Sequence, residues 1–86
     1  MSESEIKSDI EEVRGSTSYS SWTIGITDDP DRRKGEHGNP KDWHEWKAHS
    51  EQIARNVEAH FQGKGMKGER GGGDHPNWVY IFQKNP

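Results

Sequence analysis

The stretch WTIGITDDPDRRKGEH, residues 22–37, decides the fold that the sequence predicts. Its first six residues include two isoleucines and two threonines in alternation, which is typical of a β-strand. Gly25 within that strand indicates that another backbone or a ligand approaches closely there. An aspartate can cap a helix that begins at Pro30, and the glycines and proline that follow confine this helix to about residues 30–37. We therefore predict a strand, a turn and a short helix that carries two arginines and a histidine.

The composition limits what the chain can be. Of its 86 residues, 26% are hydrophobic and 31% are charged, so we expect a single domain, residues 1–86, whose core rests on a few large side chains. Its net charge of -3 argues against tight, sequence-independent DNA binding, which usually needs a basic balance. The absence of cysteine excludes disulfides and a catalytic thiol. We expect no membrane association and a cytoplasmic location, because no apolar run is long enough to span a bilayer and no signal-peptide segment is present.

The remaining elements follow from hydrophobic periodicity. Apolar side chains recur with helical spacing over residues 4–14 and 51–62, and the apolar run at residues 78–83 predicts a strand. Residues 42–49 alternate as a strand does, although a helical turn is the competing interpretation. Glycines dominate residues 63–75, which predicts a mobile loop. The order α-β-α-β-α-β indicates a small α+β domain, with helices flanking a three-stranded, mostly antiparallel sheet.

The strand and helix of residues 23–37 resemble the second half of the GIY-YIG nuclease signature. In that family a strand ending in Tyr-Ile-Gly is followed by a turn and a helix with a catalytic arginine, commonly eight positions after the glycine. Arg33 stands eight positions after Gly25, and Glu36 and His37 match the Glu-His pair that often follows. Thr23 replaces the tyrosine of Tyr-Ile-Gly, and the Gly-Ile-Tyr strand expected about ten residues upstream is missing.

The resemblance implies a divalent-metal-dependent endonuclease acting on DNA or RNA. Arg33 would clamp the scissile phosphate, Glu58 on the third helix would hold Mg²⁺ or Mn²⁺, and Tyr19 or His37 would serve as general base or orient the water. The side chains expected to follow the nucleic-acid backbone are basic: Arg32, Lys34, Lys64, Lys67 and Arg70.

Two alternatives stay open at this point. Because the family's tyrosines are missing from their usual places, the domain is alternatively a catalytically inactive relative that binds nucleic acid or a protein partner. The five histidines also raise the question of structural zinc, but His44 and His49, the pair closest to ligand spacing, would face opposite sides of a strand. The sequence leaves the choice of DNA or RNA and the oligomeric state undetermined.

Overall fold

The computed structural model describes residues 1–68 and 75–83, and within them the chain is a small α+β domain. Three helices alternate with the strands: α1 (Glu3–Arg14), α2 (Pro30–Glu36) and α3 (Glu51–Lys64). The strands are β1 (Thr23–Thr27), β2 (Asp42–Lys47), β3 (Lys67–Gly68) and β4 (Trp78–Gln83), and a single 3₁₀ turn, Tyr19–Ser21, precedes β1. The predicted helices are confirmed, and so is the strand predicted over residues 42–49, which ends at Lys47.

The sheet differs from the prediction in one respect. Within the described residues it has four strands, in the order β2-β4-β1-β3, instead of three. The three long strands are antiparallel as predicted, but β3 pairs in parallel with β1 through Thr23–Lys67 and Ile24–Gly68. The prediction missed β3 because it lies within the glycine-rich stretch, where local propensity favours a loop. Residues 69–74 of the predicted loop lie outside the described residues, as does Arg70.

The sheet has two chemically distinct faces. On the first face, Ile24 and Ile26 of β1 lie opposite Ile81 and Val79 of β4. These four side chains form one apolar cluster with the buried residues of α1 and α3, which are Ile6, Ile10, Ala54, Val57 and Phe61. Helices α1 and α3 therefore cover this face and make the hydrophobic core.

The second face is aromatic. Because side chains alternate across a strand, Tyr80 and Phe82 point away from the α1–α3 core. Trp43 of β2 stacks on Tyr80, with ring centroids 4.6 Å apart and an angle of 10° between the planes. It also lies 5.5 Å from Phe82, which makes a ladder of three rings. The C-terminal end of α2 packs on this face through its C-cap residue His37, whose ring centroid is 4.6 Å from that of Phe82.

Gly25 allows the tyrosine to lie flat on this face. It pairs directly with Tyr80, and a Cβ atom added to Gly25 would overlap the hydroxyl oxygen and a ring carbon of that tyrosine. The close approach predicted at Gly25 is therefore confirmed, but the approaching group is a side chain of the neighbouring strand and not the backbone or ligand that was predicted.

Replacing this glycine gives a test of the packing. We expect Gly25→Ala to lower the free energy of unfolding by about 1–3 kcal/mol, the usual cost of overpacking, because the buried ring must move. The matched control is Gly35→Ala in α2, where an added Cβ meets no atom within 4 Å. That substitution should raise the stability by about 0.5–1 kcal/mol through helix propensity. Urea unfolding of both variants measures the difference, and equal effects would contradict the packing described.

Candidate functional site

The hydroxyl of Tyr80 brings Arg33 and His37 together. Arg33 Nε donates a hydrogen bond to this oxygen over 3.2 Å, and His37 Nε2 lies 3.4 Å from the same oxygen. The arginine and the histidine are four positions apart, and His37 is the C-cap residue that follows α2, so the two side chains lie on the same side of the helix at its C-terminal end. The three residues form the second-face cluster: Arg33, His37 and Tyr80.

Local sequence explains the position of this helix. Asp29 caps α2, because its side chain accepts a hydrogen bond from the Arg32 backbone N–H, and Pro30 takes the first helical position. Thr27, at the end of β1, uses its hydroxyl to accept from the backbone N–H of Asp29. The turn between β1 and α2 is thus fixed at both ends, which aims the helix across the aromatic face.

The guanidinium of Arg33 is held on two sides. Besides its bond to Tyr80, it donates from Nη1 to Glu36 Oε1 over 3.1 Å, and its side chain keeps 20% of its exposure. The hydrogen bond to Tyr80 is the main cause that raises the pKa of Arg33, against the opposing effect of burial, so the group stays charged. A fixed, partly exposed guanidinium suits the recognition of a phosphate group.

Tyr80 itself is fully buried, with 0% of its surface exposed. Its hydroxyl therefore lies beneath Arg33 and His37 and positions them, while the outer parts of those two side chains face the surface. Sequence reasoning missed Tyr80 because it was assigned to an apolar core strand. In the sheet Tyr80 pairs with Gly25, which leads into the helix of Arg33. The sequence alone does not reveal this pairing, because it depends on the register of the strands.

Tyr19, in contrast, belongs to a different part of the molecule. Its hydroxyl donates to Glu11 Oε2 over 2.8 Å, its ring lies against Phe61 of α3, and the guanidinium carbon of Arg14 sits 3.9 Å from the ring centroid. The hydrogen bond to Glu11 raises the pKa of Tyr19, which opposes formation of a phenolate. These contacts do not place Tyr19 with Arg33, and they make it a poor general base.

Glu58 also lies away from the second-face cluster. It is carried by α3, whose buried side chains pack on the isoleucine face of the sheet, opposite to Tyr80. Burial raises the pKa of Glu58, and the charge of Arg55 opposes this with a smaller effect. The structure therefore does not bring Glu58 together with Arg33.

A metal ion at the second-face cluster has no clear set of ligands. Within residues 1–68 and 75–83, no group of three or more histidine, aspartate, glutamate or cysteine side chains could hold a metal ion. Because Glu58 lies on an element of the opposite face, the residues present do not fit the predicted Mg²⁺ or Mn²⁺ site. We derive no chemical step through a metal.

The predicted backbone-binding cations are spread over several elements. Arg32 is exposed and forms an ion pair with Asp28, and Lys34 is half-buried on the same helix. Lys64 ends α3 and Lys67 begins β3, both exposed. Arg32 and Lys34 therefore accompany Arg33 on α2, whereas Lys64 and Lys67 belong to the part of the fold around α3.

The raised pKa of Glu58 predicts a pH dependence of stability. Burial lifts the pKa of the folded state above the ordinary value of 4.5, so the carboxylate destabilises the fold once it must ionise. Well below pH 4.5 the carboxyl group is neutral in both the folded and the unfolded protein, so it does not affect stability. The free energy of unfolding falls as the pH rises from 4.5 through the raised pKa of the folded state. We expect Glu58→Gln to increase the melting temperature at pH 7 and to leave it unchanged at pH 3. A variant less stable than the parent at pH 7 would contradict this.

Comparison with known proteins gives no further guide, because no family model, curated protein or solved structure matches the chain. Within the described residues, no helix has both the length and the apolar character that crossing a membrane requires.

Proposed function

We propose that this domain binds nucleic acid through a backbone phosphate at the second-face cluster and hydrolyses the phosphodiester bond, as a divergent relative of GIY-YIG nucleases. The observation that carries the proposal is the double contact of the Tyr80 hydroxyl with Arg33 and His37. Two of these residues, Arg33 and His37, are ones to which the resemblance assigns a role. The third is a tyrosine, the residue type that the resemblance requires and that is missing upstream.

The position of β4 supports the resemblance. Strand β4 pairs antiparallel with β1 and carries Val79-Tyr80-Ile81 beside Thr23-Ile24-Gly25. In the family the tyrosine-bearing strand precedes the Tyr-Ile-Gly strand, whereas β4 follows it in this chain. We infer that β4 takes the place of the absent Gly-Ile-Tyr strand, with the order of the strands along the chain changed.

The chemistry that follows uses the exposed parts of the cluster. Arg33 binds the phosphate oxygens through its guanidinium and stabilises the charge that develops on them during attack by water. His37 accepts the proton of the attacking water as the new P–O bond forms and the bond to the leaving oxygen breaks, and the leaving oxygen takes a proton from solvent. Tyr80 acts as a positioning residue that fixes both side chains from below.

A second candidate function is binding without cleavage. The observation that favours it is the location of Glu58 on α3, across the sheet from Arg33, because the resemblance assigns that carboxylate to a metal needed for catalysis. Binding and cleavage therefore need separate measurements.

Binding is tested with two adjacent arginines. We expect Arg33→Gln to weaken binding of labelled single- and double-stranded DNA and RNA about tenfold, the effect of losing a charge-assisted pair. Arg32→Gln removes the same charge from an exposed side chain and should weaken binding less than about threefold. Fluorescence anisotropy at low salt measures both. No binding to any of the four probes, or equal effects of the two substitutions, would overturn the proposed phosphate site.

Cleavage is tested with two tyrosines. With Mg²⁺ or Mn²⁺ present, we expect Tyr80→Phe to lower the cleavage rate about 100-fold or more, because Arg33 and His37 lose their common anchor. Tyr19→Phe, which removes the other phenol of the chain, should leave the rate within about threefold of the parent, because the Tyr19 hydroxyl bonds to Glu11. Neither variant changes the net charge. Gel analysis of labelled substrates measures the rates. A parent protein that binds but never cleaves would support the second candidate function.

A further inference from the structure

We propose that the open edge of β2 binds an extended, basic segment of a partner protein by β-strand addition. Strand β2 is the outermost strand of the sheet next to β4, so one of its two edges has no neighbouring strand among the described residues. Edge strands with free backbone groups are templates for pairing with another chain. This edge adjoins the aromatic face through Trp43 but contains none of the three residues of the second-face cluster, and the inference does not depend on the proposed function.

The hydrogen-bond register identifies the free groups. Antiparallel pairs alternate between residues that exchange hydrogen bonds and residues whose backbone groups point outward. Ala48 N–H donates to Asn77 C=O, which continues the register that pairs Trp46 with Val79. The even-numbered residues of β2 therefore bond to β4, and the N–H and C=O groups of Trp43 and Glu45 point to the open edge.

Lys47 supports this assignment. As an odd-numbered residue its carbonyl should also point outward, and it accepts a hydrogen bond from the backbone nitrogen of Met1 over 2.8 Å. His49 N–H in turn donates to the Met1 carbonyl. Met1 thus uses one end of this edge, and among the described residues no other strand pairs with the part at Trp43 and Glu45.

A groove runs along the same part of the edge. Its volume is about 670 Å³, and it is lined by residues 43–46 of β2 together with Asp9, Glu12 and Val13 of α1. Successive residues of a strand alternate between the two faces, so a groove that touches four in a row lies along the strand edge. The helix therefore forms one wall of a channel whose other wall is open backbone.

The charge of the groove selects the occupant. Three of its lining residues are carboxylates: Asp9, Glu12 and Glu45. Glu45 accepts a hydrogen bond from the Trp43 indole N–H over 3.0 Å. Within the part of the chain that the structure describes, no lysine or arginine lines the groove. An extended segment with lysine or arginine at alternate positions would pair with the strand and place its cations against Asp9 and Glu12.

Binding is tested with a defined probe, a fluorescein-labelled peptide of alternating lysine and valine about nine residues long. We expect saturable binding that becomes at least about tenfold weaker when alternate peptide nitrogens are methylated, because backbone hydrogen bonds are lost while the charge is kept. The double variant Asp9→Asn with Glu12→Gln should weaken binding about threefold at low salt. The control Asp28→Asn with Asp31→Asn removes two carboxylates elsewhere and should have no such effect.

Amide hydrogen exchange locates the binding. In the free protein the Trp43 and Glu45 amides should exchange faster than those of His44 and Trp46, and the lysine–valine peptide should slow the first pair. The proposal is overturned if the peptide does not bind at millimolar concentration, if methylation leaves its affinity unchanged, or if the protected amides lie outside β2.

Discussion

The contact between Gly25 and Tyr80 is the constraint on which the second face depends. A side chain at position 25 would occupy the space of the tyrosine ring, so the glycine lets that ring lie against β1 with its hydroxyl reaching α2. The same ring stacks on Trp43 and so joins β2 to the arrangement. One missing Cβ therefore sets the relation of two strands and one helix.

The two faces of the sheet differ in burial and in chemistry. The isoleucine face, covered by α1 and α3, contains the larger part of the buried apolar surface and supplies the hydrophobic stabilisation of a small chain. Among the described residues, the short helix α2 lies near the aromatic face and presents charged groups above stacked rings. A polar, partly open face on a rigid sheet is where binding residues can be held precisely without weakening the core.

The carboxylates follow the same division. Glu36 lies beside Arg33 and neutralises part of its charge, whereas Glu58 is held by α3 and is partly desolvated there. Asp9, Glu12 and Glu45 gather at the outer edge of β2. Helix α2 and the turn before it carry both signs of charge, with Glu36 next to the Arg33 guanidinium.

The sequence by itself determined the helices, the three long strands and the short helix that holds Arg33 and His37, because hydrophobic period, caps and glycines are local signals. It also indicated a close approach at Gly25. Only the tertiary structure decided that Tyr80 meets those residues, that β3 joins the sheet, and that Tyr19 and Glu58 lie with α1 and α3. The reason is physical: which strands pair, and in what register, depends on contacts between residues that are distant along the chain. The position of a residue within its own helix or strand therefore does not show which residues of other elements lie on the same face of the sheet.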